Sequence, residues 1–146
     1  MLELQNISYS VTDPTGTTDI LKDISITIPD NIKSIGEMAF ANTPDLDTIE
    51  VESGNSNYTV KDGCLIHRAS KKLLRATNNA IIPQDGSITE IESSALSMLS
   101  RIEEAAIPNG VLSVPVYFAI DCKFAPLPCT SRIAFSHNEL CYSCFS

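Results

Sequence analysis

The pattern Ile-Pro-x-x-Ile-x-x-Ile-Gly-x-x-Ala-Phe, then Leu-x-x-Ile-x-Val, occupies Ile28 to Val51 and returns downstream. Its apolar positions are Ile28, Ile32, Ile35, Ala39, Phe40, Leu46, Ile49 and Val51. A second copy follows an insertion, with Ile82, Ile88, Ile91, Ala95, Leu96, Ile102, Ala105 and Ile107. A third begins at Ile107-Pro108, with Val111 and Val114. A unit this short cannot bury its own apolar face. Recurrence in step lets successive copies stack and share one interior. The repeat is an argument about fold before it is one about function.

Within each copy the expected local structure follows from side-chain direction. In Leu46-Asp47-Thr48-Ile49-Glu50-Val51, alternation sends Ile49 and Val51 to one face and Thr48, Glu50 and Glu52 to the other. The proline after Ile28 removes a donor and ends the strand. Glu37-Met38-Ala39-Phe40 and Ser93-Ser94-Ala95-Leu96 suit a helical turn, which would point Ala39-Phe40 and Ala95-Leu96 inward. The copies are not identical. Pro83 to Ile88 is longer than Pro29 to Ile32, Glu92 stands at the position of Gly36, Leu96 at Phe40 and Ala105 at Ile49. The second copy is therefore expected to pack with smaller or less aromatic residues.

On these residues, 28–114 resemble the BspA-type leucine-rich repeat family. Gly54-Asn55-Ser56-Asn57-Tyr58, Lys61-Asp62-Gly63-Cys64-Leu65-Ile66 and Lys72-Leu73-Leu74-Arg75-Ala76 are similar to the hairpin-bearing long repeat of that family. The resemblance implies a mainly β fold with short helical turns: a short leucine-rich-repeat solenoid with an N-terminal β-hairpin cap. The expected division is a cap over 1–27, repeats over 28–114 with a hairpin inserted at about 54–80, and an irregular segment over 115–146. Members of the family are often surface-exposed and adhesive, so a non-enzymatic protein-interaction or surface-display module is implied.

Residues 1–30 read as two strands around a turn. Leu2, Leu4, then Ile7, Tyr9 and Val11 alternate, as do Ile20, Ile24, Ile26 and Ile28, with Pro14 and Gly16 in the turn between. The stretch also resembles the first two strands of an ABC-transporter ATPase domain. That family would place a glycine-rich phosphate loop about ten residues further on, and Gly-x-x-x-x-Gly-Lys-Ser/Thr is absent. The chain reads as a join of two pieces, and a truncated or fused ATP-binding subunit is the alternative function.

Net charge is -8 at pH 7. That disfavours nucleic acid and anionic lipid, which want clustered Lys and Arg. Lys61, Arg68, Lys71, Lys72 and Arg75 form the one basic cluster. Without interleaved aromatics it makes a poor stacking platform and reads as a solvated hairpin. No run of about twenty apolar residues is present, so no membrane insertion is expected. The N-terminus lacks a basic start and an apolar run, so a cytosolic chain or a fragment of a surface protein is expected.

Chemistry-bearing motifs are few. Cys122, Cys129, Cys141 and Cys144, with His137 nearby, are the only metal-like constellation. Cys141-x-x-Cys144 has a ligand-pair spacing, but the other pair is too widely spaced. Zinc, a disulfide and free thiols all stay open. Cys64 reads as a small core residue and His67 as a surface residue. Glu103 and Glu104 point to opposite sides of a strand, so no pair of acids converges for acid–base work. No catalytic residue, cofactor site or metal site is assigned. The face nominated for binding carries Thr48, Glu50 and Glu52, with Glu104 and Ala106 in the next full copy. Its acids would favour a basic protein partner. The last open sheet edge, near Val111 to Val114, needs a cap from 115–146 or pairs weakly with a second copy.

Overall fold

The computed structural model describes residues 3–5, 8–13, 16–21, 24–99, 101, 106–111, 113–115 and 134–135. Among these the chain is built from strands and turns, with no helix. The strands are β1 (Glu3–Gln5), β2 (Ser8–Asp13), β3 (Gly16–Leu21), β4 (Ile24–Ile28), β5 (Leu46–Val51) and β6 (Tyr58–Lys61). They continue with β7 (Cys64–His67), β8 (Lys72–Ala76), β9 (Glu90–Ile91), β10 (Ser113–Val114) and β11 (Ala134–Phe135).

Strands β2 and β3 form an antiparallel hairpin, and β1 pairs antiparallel with β4. On its other side β4 pairs in parallel with β5. The proposed cap boundary after residue 27 therefore falls inside a strand that is itself a rung of the repeat ladder. Pro29 ends that strand as expected. Its carbonyl accepts a hydrogen bond from Asn55 Nδ2 at 2.8 Å. Buried Asn55 also accepts from the backbone N–H of Asn57 (2.8 Å) and of Tyr58 (2.9 Å). One side chain thus fastens the loop after β5 to the end of β4.

The inserted hairpin is an interior element, which corrects the expectation of a solvated one. Strands β6, β7, β8 and β9 form a single sheet, antiparallel through β8 and parallel between β8 and β9. Cys64, Leu65 and Ile66 on β7 are all buried. Alternation divides them between two apolar clusters. Leu65, with Tyr58 of the same hairpin, joins Ile28, Leu46 and Ile49 of the first repeat. Cys64 and Ile66 join Ile88, Ile91, Ala95, Leu96, Val111 and Val114 of the copies that follow. The hairpin is therefore intercalated, with one face against each neighbour. The basic cluster divides accordingly. Arg68 and Lys71 are exposed, whereas Arg75 is 1% exposed.

The segments expected as helical turns are pairs of reverse turns. Ala39 N donates to Gly36 O (3.2 Å) and Ala41 N to Met38 O (2.9 Å). In the second copy Ala95 N donates to Glu92 O (3.1 Å) and Ser97 N to Ser94 O (3.0 Å). Left-handed φ at Met38 (56°), Asn42 (56°), Ser94 (66°) and Met98 (59°) breaks any helical continuation at equivalent positions of both copies. Inward packing also differs between copies. Ala95 and Leu96 are fully buried, but Ala39 is exposed and Phe40 half-buried. The second copy sits in mid-stack with chain on both sides, so its smaller residues are the better enclosed. Strand β10, whose edge was expected to need a cover, pairs in parallel with β11. Val116-Tyr117-Phe118-Ala119-Ile120, a further possible strand by its apolar run, lies outside the described residues.

Candidate binding face

The face nominated from the sequence rests on β5, and a bulge decides how it is presented. Ile24 pairs with Leu46, but the next residue, Ser25, pairs with Thr48, so Asp47 is an extra residue. The extra residue resets the alternation. Leu46 and Ile49 both point into the core although three residues apart, and both are buried. Asp47 swings aside, where its carboxylate accepts from Arg101 at 2.8 Å. Beyond the bulge Thr48, Glu50 and Glu52 are exposed.

The ladder adds two residues from the expected cap segment over 1–27. Ser25 lies opposite Thr48 and Thr27 opposite Glu50. The face is thus a two-strand array of hydroxyls edged by carboxylates, on backbone held by both neighbours of β4. The alternation Ser25-Ile26-Thr27-Ile28 was the available signal. Glu52 is partly committed locally, since its carboxylate accepts from Asp30 N at 2.8 Å. Ala106 is exposed, and its carbonyl accepts from Gln84 Nε2 at 2.9 Å. No described strand pair brings Ala106 beside β5, and Glu104 lies outside the described residues.

Among the described residues no group of three or more His, Cys, Asp or Glu could hold a metal ion. Cys122, Cys129, His137, Cys141 and Cys144 lie outside the described residues. Cys64 is a buried free thiol, and burial pushes it up to about 12. His67 is half-buried, its ring 5.5 Å from that of Tyr58 and its Nδ1 2.8 Å from Ser70 Oγ. Among the described residues no helix is long and apolar enough to cross a membrane.

Parallel rungs, Pro-terminated strands and paired outer turns repeating along the stack define a solenoid of the leucine-rich-repeat class. The chain belongs to the BspA-type leucine-rich repeat family: the model of the BspA type leucine rich repeat region (6 copies) matches residues 21–146. The match takes in β4, one of the strands behind the ATPase resemblance, and the tail over 115–146, where apolar spacing alone shows no repeat. Among solved structures, a leucine-rich repeat protein from Eubacterium ventriosum is similar, with TM-score 0.55 and 21% identity over 62% of this chain. The pneumococcal vaccine antigen PcpA is similar with TM-score 0.51 and 16% identity over 72% of this chain. These likenesses are of fold. The chain spans 25% of the first protein and 35% of the second. No curated protein matches the sequence.

Proposed function

We propose that this run of repeats is a non-enzymatic protein-interaction or surface-display module that binds through the outward side of the β4–β5 ladder. The observation that carries the reading is the exposed row Thr48, Glu50 and Glu52 at the end of β5, a strand whose backbone is paired along one side by β4. Such a row presents side chains without ordering cost, and the strand rows of solenoids form extended recognition surfaces. Glu104 and Ala106 would continue the row in the next copy. The partner is a protein with basic residues at the contact, and the carboxylates act mainly on association rate.

The test is capture from a lysate by the immobilised protein, with Glu50→Lys as the control. Glu50 is preferred to Glu52 because its carboxylate makes no bond among the described residues, whereas that of Glu52 accepts from Asp30 N. Basic proteins retained by the parent and lost from Glu50→Lys support the face. Equal capture by both removes it. Weak self-association through a sheet edge belongs to the same reading. A strictly monomeric mass by light scattering at high concentration would remove that part alone.

A further inference from the structure

The geometry points to a second binding site, on the outer side of the inserted hairpin, that takes an extended acidic segment of a protein. It lies on a different element from the β4–β5 face and does not depend on it. A depression of about 350 Å³ opens there over Thr59 and Ile66, which pair across β6 and β7 and share one face, with Lys61, Arg68, Lys71 and Ser87 around it and Val60 at its margin. That size is at the small, open end of the roughly 300–1,000 Å³ typical of ligand sites, suited to a few side chains of a peptide.

The cations are held in place by the fold. Arg68 Nε donates to Tyr58 O at 2.8 Å, which leaves the two terminal nitrogens of the guanidinium for a ligand. Lys71 takes left-handed φ (54°), and its Nζ donates to Gly86 O at 3.2 Å. Lys61 is ion-paired with Asp85. Ser87 also binds that carboxylate, through its hydroxyl at 2.6 Å and its N–H at 3.2 Å. Lys61 is thereby neutralised. Arg68 and Lys71 have no carboxylate partner among the described residues.

That excess stands out in a protein with 18 acids against 10 bases. Two uncompensated cations beside Thr59 and the apolar Ile66 match a short extended segment that carries carboxylates with small apolar side chains between them. The same features argue against a nucleic acid. The lining has no aromatic ring on which a base could stack, and a net charge of -8 repels a long polyanion.

The experiment is fluorescence anisotropy of a labelled peptide of alternating Glu and Val, titrated with the intact protein. Peptides of alternating Lys and Val, and of Ser and Val, serve as controls, with oligothymidylate as a polyanion. Saturable, salt-weakened binding of the acidic peptide, and none of the Ser–Val peptide, is expected; any binding of the Lys–Val peptide belongs to the β4–β5 face and should be lost in Glu50→Lys. Lys71→Glu, and Arg68→Glu combined with Lys71→Glu, should weaken it progressively, the pair by roughly tenfold or more, as for rim charges turned repulsive. Glu50→Lys should leave it unchanged, which separates this site from the β4–β5 face. Both substituted residues are exposed, and a parent-like thermal melt shows that the fold is intact. Absence of binding, equal binding of oligothymidylate, or indifference to both variants when folded would each overturn the site.

Discussion

Replacing Arg75 tests whether the inserted hairpin truly locks one repeat to the next. Its side chain is 1% exposed and donates from Nη1 to Ser94 O (3.0 Å) and Ser97 O (2.9 Å). From Nη2 it donates to Thr43 O (3.0 Å). One guanidinium therefore satisfies carbonyls in the outer turns of both copies. Hydrogen bonds from a charged donor are worth roughly 1.5–3 kcal/mol each, so three amount to about 4.5–9 kcal/mol. Removing the cation also removes its desolvation cost, several kcal/mol in real proteins. A net loss of about 3–5 kcal/mol is expected for Arg75→Met, which keeps the stem volume but removes the charged donor from all three carbonyls, leaving those of Ser94 and Thr43 with only their turn N–H bonds. Against a usual domain stability of about 5–15 kcal/mol this is a large fraction. The urea midpoint should fall sharply, and Tm by roughly 6–20 °C at about 2–4 °C per kcal/mol. Arg75→Lys should lie between, because one ammonium cannot span both turns. An Arg75→Met midpoint within about 0.5 kcal/mol of the parent would refute the clamp, since surface substitutions fall in that range.

Asn55→Ala removes one of the two donors to the Pro29 carbonyl and the acceptor of the buried Tyr58 N–H and the part-buried Asn57 N–H, and should cost about 1–3 kcal/mol in urea unfolding. At Gly63 an added Cβ would meet Thr77 Oγ1 at 2.7 Å and the Ala80 Cα at 2.9 Å, with φ at 77°. Gly63→Ala should therefore lose about 2–4 kcal/mol, while Gly36→Ala, with nothing within 4 Å, should be near neutral. Leu96 is 0% exposed and Phe40 only half-buried, so Leu96→Ala should destabilise by about 2–5 kcal/mol and Phe40→Ala by less, reversing the order that side-chain size suggests. Cys64, pushed up to about 12 from an ordinary 9.0, is protonated in the folded state where the unfolded chain has ionised. The native state then binds more protons, so stability is whole below about pH 9 and falls as pH rises, at roughly 1.4 kcal/mol per unit. Cys64→Ala should remove that slope. Alkylation of the Cys64 peptide, followed by mass spectrometry at neutral pH, should appear only on unfolding.

The ladder and its core were legible because a parallel rung needs the same apolar positions in every copy. Ile28, Leu46, Ile49, Ile88, Ile91 and Leu96 are all buried where the repeat put them. What stayed hidden was polar. Asp47 looks like any solvent-facing strand residue, and only the pairing of Ile24 and Ser25 reveals it as the bulge that turns Leu46 inward. The interior place of the hairpin is masked in the sequence by its five cations in twenty residues, which read as water on every side. Arg68 and Lys71 meet that expectation, but Leu65 and Ile66 are adjacent and both buried, which requires apolar surroundings on both faces. The exposed row on β5 is half visible in the sequence. Thr48 and Glu50 follow from alternation, whereas Ser25 and Thr27 join them only through the register of β4 on β5.

The outer turns show why sequence pattern underdetermines this part of the fold. The left-handed residues are Met38 and Ser94 in the first turn of each pair, and Asn42 and Met98 at the end, none of them glycine. Gly36, the one glycine in the motif, is not left-handed, and in the second copy Glu92 replaces it without changing the positions of positive φ. A left-handed non-glycine residue costs roughly 1–2 kcal/mol, so four of them need support from outside the turn. The support is tertiary. Glu92 Oε1 accepts from Met38 N at 2.7 Å, and Arg75 holds carbonyls at Thr43, Ser94 and Ser97. Glu92 is thus more than a substituted glycine, because its carboxylate bonds the strained residue of the preceding copy. The strain is borne where copies touch, so the turns depend on stacking and stacking depends on the turns. A repeat cut out alone would keep its apolar pattern and lose the groups that hold its turns left-handed, which is why such a unit is stable only in company.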